Sequence, residues 1–210
     1  MAKEAELVVA ELKQKYPKQQ VQSYQADLTI VANVEQVFAQ IREDFGGKLD
    51  IVINTVGMVL KKALVDVSEQ EYDRMFAVNS KSAFFINQQA AKAVSDGGKI
   101  INLVTGLLGA YTPFYTTYQG SKAPVEWFTK GLSKELMSRR ISVNAIAPGP
   151  MDTTFFYPVR TTLGLDAQPL GSQQLRTILH LYEACADIIA CSKRVTMQLH
   201  TSRVLQWTDA

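Results

Sequence analysis

A tyrosine and a lysine stand four residues apart in the run Tyr118-Gln119-Gly120-Ser121-Lys122. On a helix, this spacing places both side chains on one face. A phenol has a pKa of about 10 and is a poor base at neutral pH, but a neighbouring ammonium favours the phenolate. Bringing the pKa of Tyr118 near 7 requires roughly 4 kcal/mol of differential stabilisation. The pair indicates proton transfer, and the alternative is a solvated helix face, because the spacing also arises by chance.

Small or polar residues follow three predicted strands: Thr105 follows Lys99–Val104, Asn54-Thr55-Val56-Gly57 follow Leu49–Ile53, and Pro148 and Gly149 follow Ile141–Ala147. In open α/β sheets, ligands bind at the carboxyl ends of the strands. A hydroxyl at Thr105 could bind a substrate carbonyl oxygen beside the phenol. The three segments therefore predict one site at one edge of a sheet.

Asn79 lies inside a long predicted helix, directly after Phe76-Ala77-Val78. A buried asparagine in an apolar helix needs hydrogen-bond partners. One interpretation is that Asn79 bends the helix and holds a water molecule near the lysine. The other is an ordinary side-chain bond to a neighbouring strand.

The elements that must position these residues alternate along residues 1–157. Helical patterns begin near Lys3 and Val34, at the capping box Ser68-x-x-Glu71 and at Tyr118, and a further strand is predicted at Val21–Tyr24. This alternation is typical of a parallel α/β sheet. The chain has 210 residues, of which 47% are hydrophobic and 20% charged, which predicts a single domain with a sizeable core.

Charge and composition narrow the classes of partner. The net charge of +2 gives no reason to expect nucleic acid or an anionic membrane. No apolar run reaches the roughly 18 residues of a membrane span, and the N-terminus has no apolar signal core. Two cysteines fit a reducing compartment, so we expect a cytoplasmic protein. His180 and His200 are too far apart to suggest a metal pair, and we expect no metal.

Together, the order and spacing of these motifs resemble the short-chain dehydrogenase/reductase family over roughly residues 2–157. The resemblance implies that Tyr118 is the acid/base, that Lys122 binds the nicotinamide ribose, that Thr105 takes the place of the catalytic serine and that Asn79 is the family's helix asparagine. It also implies a set of cofactor-binding residues: Asp27 and Leu28 at the adenine, Asn54 and Gly57 in the turn, Tyr118 and Lys122, and Pro148, Gly149, Met151 and Thr153 near the carboxamide.

The implied function is hydride transfer between NAD or NADP and a small carbonyl or alcohol substrate. The resemblance also implies a homodimer or homotetramer formed through the two long helices. The alternative is a catalytically silent, truncated homologue that binds partners through the same helices.

The chain departs from the family pattern at both ends. No G-x-G-x-x-G-like run precedes a strand, and the fold is predicted to be an incomplete Rossmann-type, doubly wound parallel sheet. Between Val21–Tyr24 and Leu49–Ile53 we expect a gap of two strand spacings, each about 4.8 Å. We predict that the chain closes this gap, swaps strands with another copy or is poorly stable alone. Residues 158–210 do not match the family and are predicted to form an atypical helical tail of the same domain.

Overall fold

One six-stranded sheet organises the residues that the computed structural model describes, which are 2–47, 49–149, 196–200 and 203–207. The strands are β1 (Val21–Gln25), β2 (Leu49–Asn54), β3 (Val94–Leu103), β4 (Ser142–Ile146), β5 (Thr196–His200) and β6 (Arg203–Trp207). Their order across the sheet is β1-β6-β5-β2-β3-β4. Strands β5, β2, β3 and β4 are mutually parallel, and the predicted α/β class is confirmed.

The helices alternate with the first four strands. They are α1 (Ala2–Lys15), α2 (Val31–Phe45), α3 (Glu69–Phe76), α4 (Ser82–Ala93) and α5 (Thr116–Glu135). Short 3₁₀ turns lie at Leu64–Asp66, Gly106–Leu108 and Met137–Arg139. None of the described helices has the length and hydropathy needed to span a bilayer.

Helix α2 forms where the apolar spacing predicts it. Val34, Val37, Phe38 and Ile41 are buried on one face. The helix ends at Gly46, whose φ of 72° is the left-handed conformation that favours glycine. The apolar face of α2 joins the main core, which also includes buried residues of β2, β3 and α4.

The long helix predicted from Ser68 is two helices joined by a π-helical turn. The capping box is confirmed, since Ser68 Oγ accepts from the Glu71 amide at 3.2 Å and the Glu71 carboxylate accepts from the Ser68 amide at 2.8 Å. Helix α3 ends at Phe76, and residues Ala77–Lys81 form the π turn before α4 begins. Such turns frequently occur at functional sites, and this one contains Asn79.

The predicted gap in the sheet is filled by a hairpin from the end of the chain. Strand β6 pairs antiparallel with β1, where Val21 lies opposite Trp207, and β5 pairs parallel with β2, where Ile51 lies opposite Thr196. Among the three alternatives, closure by the chain itself is the one that the structure contains.

The helical prediction for the tail is wrong for these two segments, because their backbones pair as strands. The helical spacing from Leu175 to Ile189 lies outside the described residues.

Two apolar residues of α1 and one of α5 lie at the surface. Leu7 is 69% exposed and Val8 is also exposed, because α1 packs mainly on the edge strand β1. Trp127 is 69% exposed, with its indole ring under the Lys130 ammonium. Leu136, at the end of the same helix, is buried.

Candidate active site

Lys122 is the most constrained cation of the site. It lies on α5, is 4% exposed, and its Nζ donates to the Val56 carbonyl at 3.1 Å and to the Leu103 carbonyl at 3.0 Å. An ammonium has three N–H donors, and these two bonds leave one for a ligand. Burial lowers the pKa of Lys122 to about 8. The side chain therefore connects α5 to the ends of β2 and β3.

Tyr118 and Thr105 lie next to each other at the same edge of the sheet. Both are nearly buried, and the Thr105 hydroxyl forms a hydrogen bond to the Tyr118 hydroxyl. Thr105 Oγ1 also accepts from the Leu107 amide at 3.3 Å, which fixes its rotamer at the start of a 3₁₀ turn. The structure thus brings the three predicted groups, Tyr118, Lys122 and Thr105, to one place.

The expected lowering of the tyrosine pKa is not found in the described chain. Burial raises the pKa of Tyr118, and the hydrogen bond with Thr105 only partly opposes this. The two hydrogen bonds described for the Lys122 ammonium go to backbone carbonyls and not to the phenol. At neutral pH Tyr118 is therefore a protonated phenol.

Asn79 clamps the turn after β2 against α5. Its Oδ1 accepts from the Met58 amide at 2.8 Å, and its Nδ2 donates to the Met58 carbonyl and to Ser121 Oγ, both at 2.9 Å. The side chain is fully buried, so these bonds satisfy the polar atoms as burial requires. The partners of Asn79 lie in the loop after β2 and on α5, and not on a neighbouring strand as one interpretation proposed.

Gly57 permits the close approach of this clamp to Lys122. A Cβ at position 57 would lie 2.9 Å from Lys122 Nζ and 3.2 Å from Asn79 Oδ1. Both atoms are held by buried hydrogen bonds, so a side chain could not be accommodated without breaking them. A glycine is therefore required here by space and not by backbone conformation.

A buried polar chain behind the site was missed by sequence reasoning. Asn54 Nδ2 donates to Asn102 Oδ1 at 3.1 Å, and Asn102 Nδ2 donates to Thr129 Oγ1 at 3.1 Å. Asn54 Oδ1 also accepts from the Val56 amide at 3.2 Å, so the network shapes the turn after β2. The signal that could have revealed it is an asparagine, Asn102, within the run 100–104, whose other residues are all apolar.

The segment after β4 approaches the same edge. The Gly106 amide donates to the Pro148 carbonyl at 2.8 Å, and Gly149 follows directly. The turn after Thr105 is thereby attached to the loop after β4. Met151 and Thr153 lie outside the described residues.

Asp27 and Leu28 lie at the carboxyl end of β1 and have different environments. The Asp27 carboxylate is exposed and accepts from the Thr29 amide and hydroxyl, which hold its pKa below the usual range. It lines a cleft of about 810 Å³ together with Asn33, Gln40 and Arg74. Leu28 is 2% exposed and packs in the main core, so its side chain is not available to a ligand.

Comparison with known proteins defines the family of this chain. The family model described as enoyl-(acyl carrier protein) reductase matches residues 1–189. A short-chain type dehydrogenase/reductase of Picea abies is 38% identical over 146 residues, which is 68% of this chain and 54% of that protein. The chain belongs to the short-chain dehydrogenase/reductase family. The match continues to residue 189, so the resemblance does not stop near 157 as the motifs suggested.

A solved member of this family has the same fold as the described residues. The crystal structure of a putative dehydrogenase from Burkholderia cenocepacia with bound NADP is 54% identical, with a TM-score of 0.63, and the match covers 73% of this chain and 54% of that one.

A hydroxynaphthalene reductase-like protein of Metarhizium brunneum is 38% identical over 62% of this chain and 49% of its own length. The chain spans about half the length of the curated relatives that it matches.

Proposed function

We propose that this chain catalyses NAD- or NADP-dependent interconversion of a carbonyl and an alcohol. The observation that carries the proposal is the adjacency of the Tyr118 and Thr105 hydroxyls at the edge where Lys122 connects β2 and β3. Membership of the family and the NADP bound to the Burkholderia cenocepacia relative support it. The substrate class is a small-molecule ketone, aldehyde or alcohol.

The chain's residues suit a nicotinamide dinucleotide at both ends of the site. The remaining N–H of Lys122 can donate to ribose hydroxyls. The turn from Asn54 to Gly57 and the Pro148–Gly149 segment follow β2 and β4 at the carboxyl edge of the sheet, where ligands of open α/β sheets bind. The exposed Asp27 carboxylate can accept hydrogen bonds from an adenine amine or a ribose hydroxyl. When bound, the reduced nicotinamide supplies a hydride to the carbonyl carbon.

The protein groups supply and position the proton. Thr105 donates a hydrogen bond to the substrate oxygen and holds it beside the phenol, and Tyr118 gives its proton to that oxygen as the C–O double bond becomes a single bond. Because burial raises the pKa of Tyr118, the phenol is protonated at neutral pH, and this favours the reduction of a carbonyl over the oxidation of an alcohol. Asn79 acts as a positioning residue, since it holds Met58 and α5 together.

The test is the oxidation of NADH and NADPH by the full chain with a panel of ketones and aldehydes, comparing wild type with Tyr118→Phe. We expect the substitution to lower kcat by at least 100-fold, because it removes the transferable proton and leaves the ring in place. Tyr111→Phe is the matched control, since Tyr111 is 92% exposed and its loss should leave the rate unchanged.

Cofactor titration by fluorescence separates this proposal from the silent-homologue alternative. Saturable binding with turnover that is lost in Tyr118→Phe supports the enzyme. No binding at millimolar cofactor, together with co-elution with a full-length relative, would overturn it and favour the binding role. The exposed rings of Phe84 and Trp127 on α4 and α5 are the surface that such a partner, or a second copy, would cover.

A further inference from the structure

The two adjacent lysines after β2 have different surroundings. Lys62 Nζ lies 2.9 Å from both carboxylate oxygens of Glu71, and this contact holds the pKa of Glu71 near 2. Lys61 instead lies over the ring of Tyr115, with its Nζ 5.4 Å from the ring centre. Of these two cations, therefore, only Lys62 has its charge matched by a carboxylate within the described chain.

Lys61 is held close to the candidate reaction centre. The Lys62 amide donates to the Phe114 carbonyl at 2.8 Å, which attaches this segment to the loop before α5. The rings of Tyr115 and Tyr118 have their centres 6.3 Å apart. The Lys61 ammonium and the ring of Tyr118, whose phenol would transfer the proton, are thus both neighbours of the Tyr115 ring.

The side chains packed around these groups are apolar. Tyr115, Tyr118 and Met75 form a small buried cluster, and Met58, Val59, Leu60 and Leu107 pack against it. Tyr115 is 8% exposed, so its ring is a fixed wall and not a mobile side chain. Partial burial lowers the pKa of Lys61, because the ammonium has lost part of its hydration.

A cation over an aromatic ring, next to an apolar wall, attracts an anion that carries an apolar body. We propose that Lys61 is a specificity-determining residue that selects carbonyl substrates bearing a carboxylate on an apolar or aromatic framework. The inference rests on the proposed function, because it places the carboxylate at Lys61 and the reacting carbonyl at Tyr118 and Thr105.

The test uses a matched pair of ketones, 4-acetylbenzoate and its methyl ester, which share the reacting carbonyl and differ in charge. With the full chain and saturating cofactor, we expect kcat/KM to favour the acid by roughly fivefold to tenfold. In Lys61→Met this preference should disappear through a higher KM for the acid, with kcat for the ester unchanged. Lys62→Met is the matched control and should keep the preference, since Lys62 is paired with Glu71.

Two results would overturn the proposal: equal kcat/KM for acid and ester in wild type, or an unchanged preference in Lys61→Met. Isothermal titration of both compounds separates its failure from that of the proposed function. If neither ketone is reduced but wild type binds the acid more tightly than Lys61→Met does, the oxidoreductase proposal fails and the anion site stands. If binding is also the same in both proteins, the anion site fails as well.

Discussion

The two halves of the sheet are built in different ways. Strands β2, β3 and β4, which we call the site half, are parallel neighbours joined by helices, and their carboxyl ends meet Tyr118, Lys122 and Thr105. Strands β1, β6 and β5, the hairpin half, combine one strand near the start of the chain with a hairpin from its end. The site half is local in sequence, whereas the hairpin half depends on contacts between segments about 180 residues apart.

Different interactions can therefore be tested in the two halves. In the site half, buried side chains such as Asn102 and Lys122 connect strand to strand and strand to helix. In the hairpin half, β6 forms backbone ladders with β1 and with β5. Changes of these polar side chains should therefore weaken the site half, and a change that removes a ladder bond of β6 should weaken the hairpin half.

The largest expected effect comes from removing one backbone donor in the hairpin half. Leu205 lies in the interior strand β6, opposite Ser23 of β1 and Gln198 of β5. Leu205→Pro removes a ladder bond and should lower the free energy of unfolding by about 3 kcal/mol or more. Hydrogen exchange should become at least 100-fold faster in β1.

The control for this change is Leu64→Pro. Leu64 begins an exposed 3₁₀ turn, and Ala63 before it has φ −59° and ψ 139°, which a following proline accepts. It should leave exchange in β1 unaltered. If Leu205→Pro also left the amides of β1 protected, the pairing of β1 with the hairpin would be wrong.

The next effect concerns the pH dependence of the site half. The pKa of Lys122 is about 8 in the folded chain and near 10.5 when unfolded, so between these values the unfolded state binds more protons. Stability from this group therefore rises by about 3 kcal/mol as the pH increases from 8 to 10.5, and it is lowest below pH 8. Urea unfolding across this range should show the rise in wild type.

Lys122→Met should lack this part of the rise, because it has no charge to lose. Lys130→Met changes an exposed lysine of the same helix and should retain it. Identical pH profiles for wild type and Lys122→Met would mean that the Lys122 ammonium is not buried as described.

The smallest effect distinguishes buried from exposed asparagines within the site half. Asn102→Ala leaves Asn54 and Thr129 without their partner and should cost about 2 kcal/mol in chemical unfolding. Asn144→Ala, at an exposed position of β4, should change stability by less than about 0.5 kcal/mol. Equal losses would argue that the network does not stabilise the site half.

Much of the site half could be predicted from the sequence, because its signals are local. The apolar run of β2, the capping box at Ser68 and the spacing of Tyr118 and Lys122 each depend on neighbouring residues. The partners of buried polar groups could not be predicted in the same way. Asn79 bonds to Met58 and Ser121, which are 21 and 42 residues away, and nothing in its local sequence selects them.

The sequence by itself determined the alternation of helices and strands, and with it the edge at which Tyr118, Thr105 and Lys122 meet, since carboxyl ends of parallel strands share one side of a sheet. Only the tertiary structure decided what lies between β1 and β2, because short strands pair with whichever partner satisfies their backbone groups. It also decided that the pKa of Tyr118 rises, because burial depends on every element packed around the phenol. Packing also decided that Lys61 and Lys62 have different environments, because it placed a carboxylate beside Lys62 and an aromatic ring beside Lys61.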